Sequence, residues 1–166
     1  MLQPVVRRTW APVGKTPVLA CWDRHDRLSA ISAISISPKT RRLGLYFDLL
    51  DHNIVSEDFV EFVARLLRRL SRPITLVLDR WQVHKAGVRE IKARFGRRVH
   101  IEWLPPYAPE LNPTEQVWNH TKYADLANYI PDNALELGQA VANSLRTKRQ
   151  NQSLLRSFIH HARLTL

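Results

Sequence analysis

The stretch EWLPPYAPELNPTEQVWNHTK, Glu102 to Lys122, sets three prolines, Pro105, Pro106 and Pro109, just ahead of a polar run of helical character. Each proline fixes its own φ and biases the residue before it toward extended geometry, so the group ends the preceding strand and stiffens its exit. NPTE then reads as a helix start, with Asn112 at the N-cap, Pro113 in the first helical position and Glu115 two residues later, a capping-box arrangement. Glu115 therefore has two competing roles. Its carboxylate can reach back to the N-cap amide, or it can be presented to a ligand; a carboxylate holding a metal cannot also give its lone pairs fully to that amide.

Working outward, RVHIEWL (Arg98 to Leu104) alternates apolar and polar residues as a strand. Val88, Ile91 and Phe95 predict a short helix before it, stopped by Gly96. PITLVLD (Pro73 to Asp79) is an unbroken apolar run that ends in a carboxylate, the pattern of a strand covered on both faces. In open α/β sheets chemistry gathers beyond the carboxyl ends of parallel strands. That makes Asp79 a candidate, against the plainer reading that it ends the strand or caps the next segment. His84, five residues on, reads as a surface or structural histidine. Upstream, Ser56 is the expected N-cap of a helix whose apolar residues run Phe59, Phe62, Val63, Leu66, Leu67 and Leu70.

The opening third predicts antiparallel strands over Thr16 to Trp22, Leu28 to Ser37 and Leu43 to Leu50, joined by the polar turns DRHDR and SPKTRR. Beyond Glu115 the chain reads as helical to its end, with stripes at Leu137, Val141 and Leu145 and at Leu154, Leu155, Phe158 and Ile159. His160 and His161 read as solvent-exposed. The expectation is one α/β domain over residues 1–166 with a mixed sheet. It opens with antiparallel strands over 1–50, continues through α-β-α-β and the Glu115 helix over 56–130, and closes with helices over 131–166.

The 166 residues are 45% hydrophobic, enough for a domain that buries roughly 70% of its unfolded surface. One cysteine, Cys21, leaves no internal disulfide framework and fits a reducing compartment. No apolar run approaches the ~18 residues of a membrane span, which argues for a cytoplasmic protein. Lys and Arg number 25 against 15 Asp and Glu, a formal net charge of +10. Such an excess points to a polyanionic partner, nucleic acid first, with plain solubility as the bland alternative.

LVLDRWQVHK followed by WLPPYAPELNPTEQVWNHTK resembles the signature of insertion-sequence transposases of the mariner-related superfamily, DDE endonucleases with a ribonuclease-H-like core. RRTWAPVGKTPVL is similar to the stretch that follows the first catalytic strand in that family. The resemblance implies that Asp79 and Glu115, with 35 residues between them, are two of three metal-binding catalytic carboxylates. It implies Mg²⁺ as cofactor, with Mn²⁺ as substitute, in a two-metal phosphoryl-transfer site. DNA, as transposon ends and target, is the implied partner, acted on by a homodimer or by pairing with a full-length transposase.

The third carboxylate of the family lies on a central first strand upstream of RRTWAP, where this sequence has only MLQPVV. Asp23, Asp48 and Asp51 are poor substitutes by position. The expectation is thus an N-terminally truncated core with two open strand edges, poorly soluble or oligomeric when isolated. It would be active only when another segment supplies the strand and its Asp. The alternatives are an inactive remnant that still binds DNA, or a regulator that pairs with an intact transposase. Arg7, Arg8 and Lys15 in the N-terminal loop, with Lys85 and Lys122 near the site, are the expected DNA contacts; Trp81 and Trp118 are expected to pack rather than stack on bases.

Overall fold

The architecture, seen in a computed structural model that describes residues 5–18 and 28–165, is built around a β-hairpin. Strands β1 (Ser29–Ile36) and β2 (Leu43–Leu50) pair antiparallel from Ser29↔Leu50 to Ile36↔Leu43. Side chains alternate across a strand, so the hairpin divides its apolar residues between two cores. Ile31, Ala33 and Tyr46 face one; Ile34, Leu43, Leu45, Phe47 and Leu49 face the other. The strand expected over Thr16 to Trp22 is not seen at residues 16–18, which carry no strand pairing, and its remainder lies outside the described residues.

The first core is closed by α1 (Ser56–Arg69), β3 (Ile74–Leu78), α2 (Gln82–Phe95) and β4 (Val99–Trp103). Helix α1 buries Phe59, Phe62, Val63, Leu66 and Leu67 at the expected spacing. Its cap is Val55 rather than Ser56, because the Asp58 carboxylate accepts from the Val55 amide at 2.9 Å and starts the helix there. Helix α2 begins six residues earlier than the apolar pattern suggests, and Gly96, at φ 50°, ends it as expected. Gly87 lets α2 approach α1 closely: a Cβ there would come 2.7 Å from Cδ1 of the buried Phe59.

Strands β3 and β4 pair in parallel, Ile74↔Val99 through Leu78↔Trp103. They form a ladder separate from the hairpin, so the strands make two two-stranded ladders among the described residues, in keeping with a mixed sheet expected to lack its central strand. Nor is β3 covered on both faces. Ile74, Leu76 and Leu78 enter the first core, whereas Thr75 is exposed and Val77 is 56% exposed. The remaining helices pack on the hairpin.

Those helices are α3 (Pro113–His120), α4 (Ala134–Gln150) and α5 (Gln152–His161), which build the second core from Val117, Val141, Leu145, Leu155, Phe158 and Ile159. Residues 126–133 interrupt the helical tail, and His160 and His161 are exposed as expected. The corner between α4 and α5 closes the outer edge of β2. The Gln152 amide both donates to the Leu43 carbonyl (2.8 Å) and accepts from its N–H (2.9 Å), and Arg149 donates to the Leu45 carbonyl at 2.8 Å. Edge strands covered in this way cannot template pairing with another chain.

Helix α3 continues into a π-helical turn, Thr121–Asp125, held by Lys148 of α4. The Lys148 side chain is 2% exposed and its ammonium bonds the Asp125 carboxylate and, at 2.8 Å, Ser144 Oγ. Ser144 also donates to Asp125 at 2.6 Å. Partial burial pushes the Asp125 carboxyl up, but the hydrogen bonds from Lys148 and Ser144 and the charges of Lys148 and His120 outweigh it and hold it below 3.8. Removing one partner of a buried pair strands the other charge. Asp125→Ala should therefore cost about 3–5 kcal/mol in urea unfolding, and Lys148→Met less, since Asp125 can turn to solvent. The depressed carboxyl contributes its stability in full above its unfolded pKa and loses it as pH falls through the lower folded value. Unfolding titrations from about pH 6 to about pH 2 should show that loss in the parent and not in Asp125→Asn.

Candidate active site

Asp79 and Glu115 line one cavity because β3 and β4 stop at the same level. Leu78 and Trp103 are the last paired residues, and one further bond, Leu104 N–H to the Leu78 carbonyl at 2.8 Å, carries the ladder a step past the strands. Asp79 leaves one strand and the proline corner leaves the other. The Arg80 Nε donates to the Leu104 carbonyl at 3.3 Å and fastens the two exits together. Tyr107 then takes a positive φ of 58°, a left-handed position uncommon for a residue with a Cβ, and turns the chain back. A 3₁₀ turn over Pro109–Leu111 leads into α3.

The cap of α3 decides between the two roles of Glu115. Asn112 is the N-cap, and its Oδ1 accepts from the Thr114 N–H at 3.1 Å and the Thr114 hydroxyl at 2.6 Å. The Asn112 amide donates to the Pro109 carbonyl at 3.0 Å, so it needs nothing from Glu115. The helix is capped without the glutamate. Glu115 is half-buried and lines, together with Asp79, Arg80, Asn112 and the corner from Leu104 to Pro109, a cavity of about 160 Å³.

Asp79 is anchored by residues outside the lining of that cavity. Its Oδ1 accepts from the Trp81 N–H at 3.1 Å and from His84 Nδ1 at 2.7 Å. The sequence reading of His84 as structural is correct in kind but understates it: the imidazole is the partner of the strand-end carboxylate. Trp81 is 45% exposed and meets His84 edge-on; Trp118 packs against the second core.

The donor chemistry suits a hard divalent cation. Mg²⁺ keeps several waters and is bound through one or two carboxylates, and the cavity offers two from separate elements. No cluster of three or more His, Cys, Asp or Glu side chains suited to a metal occurs among the described residues. Asp48 is bound to Arg65, Asp51 is paired with His52 at 3.0 Å on the surface, and Asp23 lies outside the described residues.

The cations proposed to touch DNA divide. Lys85 is exposed on α2, next to His84. Lys122 is exposed on the π-helical turn, and Arg7 lies beside it: the Arg7 guanidinium sits 4.7 Å above the Tyr123 ring, and the Arg7 backbone N–H donates to Asn128 Oδ1 at 2.8 Å. A bridge between Val5 and Ala127 fixes this approach. Arg8 and Lys15 are exposed on the segment that follows. The buried Lys148 escaped the sequence reading, although it continues the stripe Val141, Leu145 at helical spacing, which is the signal that it points inward.

The sequence matches the profile described as DDE superfamily endonuclease over residues 1–136. The chain belongs to that family. No curated protein matches it in sequence. Among solved structures it is similar to a chain of the structure titled "Crystal structure of the Mos1 Strand Transfer Complex", with a TM-score of 0.64 at 14% identity, covering 97% of this chain and 48% of that one. The likeness shows a ribonuclease-H-like fold, and the chain spans about half the length of the Mos1 chain.

Because Asn112 starts the helix that carries Glu115, Asn112→Ala should lower stability by about 1 kcal/mol. Asn112→Asp, which keeps the acceptor, should restore it. Thermal unfolding of the three proteins reads the difference.

Proposed function

We propose that this DDE-family chain is a segment of a transposase catalytic core that cleaves and joins DNA strands by metal-dependent phosphoryl transfer. The observation that carries the reading is Glu115: its helix is capped by Asn112 alone, and its carboxylate lines the same cavity as Asp79. Asp79 and Glu115 would hold Mg²⁺, or Mn²⁺ in its place. When bound, the metal would supply Lewis-acid stabilisation of charge on the phosphoryl oxygens and on the attacking and leaving oxygens.

The chain's own residues do the positioning. Two strand ends and a capped helix hold the carboxylates in place before substrate arrives, which removes reorganisation from the reaction. Arg80, at the cavity wall, is suited to a phosphate oxygen there. Lys85, Arg7, Arg8, Lys15 and Lys122 would carry the flanking duplex through its phosphates. This setting, a basic protein on DNA, is that of the cytoplasm and its nucleoid.

The third carboxylate of the family would come from a strand inserted between β1 and β3, which share no ladder among the described residues. That strand would also complete one mixed sheet. The same edges favour a second reading, in which this chain captures a strand of an intact transposase and regulates it. Restored cleavage on pairing speaks for the first; inhibition of the intact enzyme on pairing speaks for the second.

The test is nicking of supercoiled DNA with Mg²⁺ or Mn²⁺, by the chain alone and when co-expressed with an Asp-bearing strand segment from a related transposase. Nicking in either setting, abolished by both Asp79→Asn and Glu115→Gln, is the expected result. Nicking indifferent to the two substitutions, or none once the segment is bound, would overturn the proposal. DNA affinity should fall with salt with a log–log slope of roughly −0.9 per phosphate neutralised. Replacing Arg7, Arg8 and Lys122 together by Ala should flatten that slope by about 3 if each neutralises one phosphate.

A further inference from the structure

The structure assigns His84 as a positioning residue for Asp79: it fixes which carboxylate oxygen is left to bind the cation. This rests on the reading of Asp79 as a metal ligand and adds a residue that acts through it.

Two donors converge on one oxygen of Asp79. Asp79 Oδ1 receives the Trp81 N–H at 3.1 Å and His84 Nδ1 at 2.7 Å. A carboxylate oxygen accepts about two hydrogen bonds in its plane, so these donors fill Oδ1. Oδ2, which makes no hydrogen bond among the described residues, is the oxygen available to a cation. Because a carboxylate can only accept, the proton of a neutral His84 must lie on Nδ1.

The imidazole is built into the fold rather than resting on the surface. Its side chain is 14% exposed, 4.6 Å from the Phe59 ring and 5.3 Å from the Trp81 ring, centroid to centroid. Phe59 is itself clamped by the close approach of Gly87, so the ring that supports His84 has little room to shift. His84 sits in the first turn of α2 and Asp79 just past β3, so the bond also ties helix to strand. Partners that orient a ligand in this way are worth about 10–100-fold in metal affinity.

The experiment uses the full chain and two readouts. Long-range ¹H–¹⁵N spectra of ¹⁵N-histidine protein, at a pH where His84 is neutral and without metal, report its tautomer. The Nδ1–H form is expected in the parent, with the preference lost in Asp79→Ala. Mn²⁺ affinity, followed by water proton relaxation, is expected to drop about 10–100-fold in His84→Ala. His84→Asn, whose amide N–H falls near the position of Nδ1–H, should recover most of it, and His84→Gln, whose amide reaches toward the Nε2 position, should not. Melting temperatures of the Asn and Gln variants separate this pattern from general loss of structure.

An Nε2–H tautomer would overturn the assignment. So would Asn and Gln variants that both fold and bind Mn²⁺ alike. If Asp79→Asn binds Mn²⁺ as tightly as the parent, the metal reading of Asp79 itself fails. If Asp79→Asn loses the ion while every His84 variant keeps it, only the positioning role fails.

Discussion

The common stopping point of β3 and β4 is the constraint on which the site depends. Parallel strands in register, Leu78 opposite Trp103, deliver two chain ends to one place, and the Leu104 to Leu78 bond holds them there for one more residue. Asp79 emerges from one end. The other enters a corner where Pro105, Pro106 and Pro109 restrict the backbone and Tyr107 turns it, so the helix that follows has few directions open to it. With Asn112 supplying the cap, the Glu115 side chain is released from local duty. A slip of β3 by one residue against β4 would turn the β3 side chains to the opposite face and carry Asp79 away from the corner.

The two cores bear on that arrangement from either side. The first presses α1 and α2 onto β3 and β4 and seats His84 against Phe59. The second holds α3 on the hairpin, with the Lys148–Asp125 pair fastening the turn that continues it. The hairpin belongs to both, yet its ladder does not reach β3. The outer edge of β2 is closed by Gln152 and Arg149, whereas β1 and β3 share no ladder among the described residues.

Much of this was legible in the sequence, and for identifiable reasons. The hairpin strands, α1, the strand ending at Asp79 and the start of α3 at Asn112 each carry a periodicity or a cap that local physics reads directly. Position alone left Asp79 as a strand end and Glu115 as a capping residue; they were paired through the resemblance of the LVLDRWQVHK and LPPYAPELNPTE motifs to the family signature. The start of α2 was hidden, since its first turn, Gln82 to Lys85, holds a single apolar residue, Val83. Asp79 sets that start by accepting from the Trp81 amide. The open face of β3 was also hidden, because ITLVL is apolar throughout and only tertiary packing decides that Val77 is uncovered. The bond of His84 to Asp79 was hidden as well. A lone histidine near a strand end carries no signal until the fold brings its Nδ1 to the carboxylate.

The most direct test of the account is to ask where a divalent ion sits on the folded chain. Mn²⁺ added in small amounts to ¹⁵N-labelled protein broadens amide signals near its binding site. The account predicts that signals from Asp79 to Trp81 and from Leu104 to Glu115 fade together, at the same low Mn²⁺ concentration, and ahead of those around the surface pairs of Asp51, His52 and Asp58. Broadening confined to one of the two segments, or beginning at the surface carboxylates, would contradict the claim that the proline corner and the capped helix bring Glu115 to Asp79 as a single metal site.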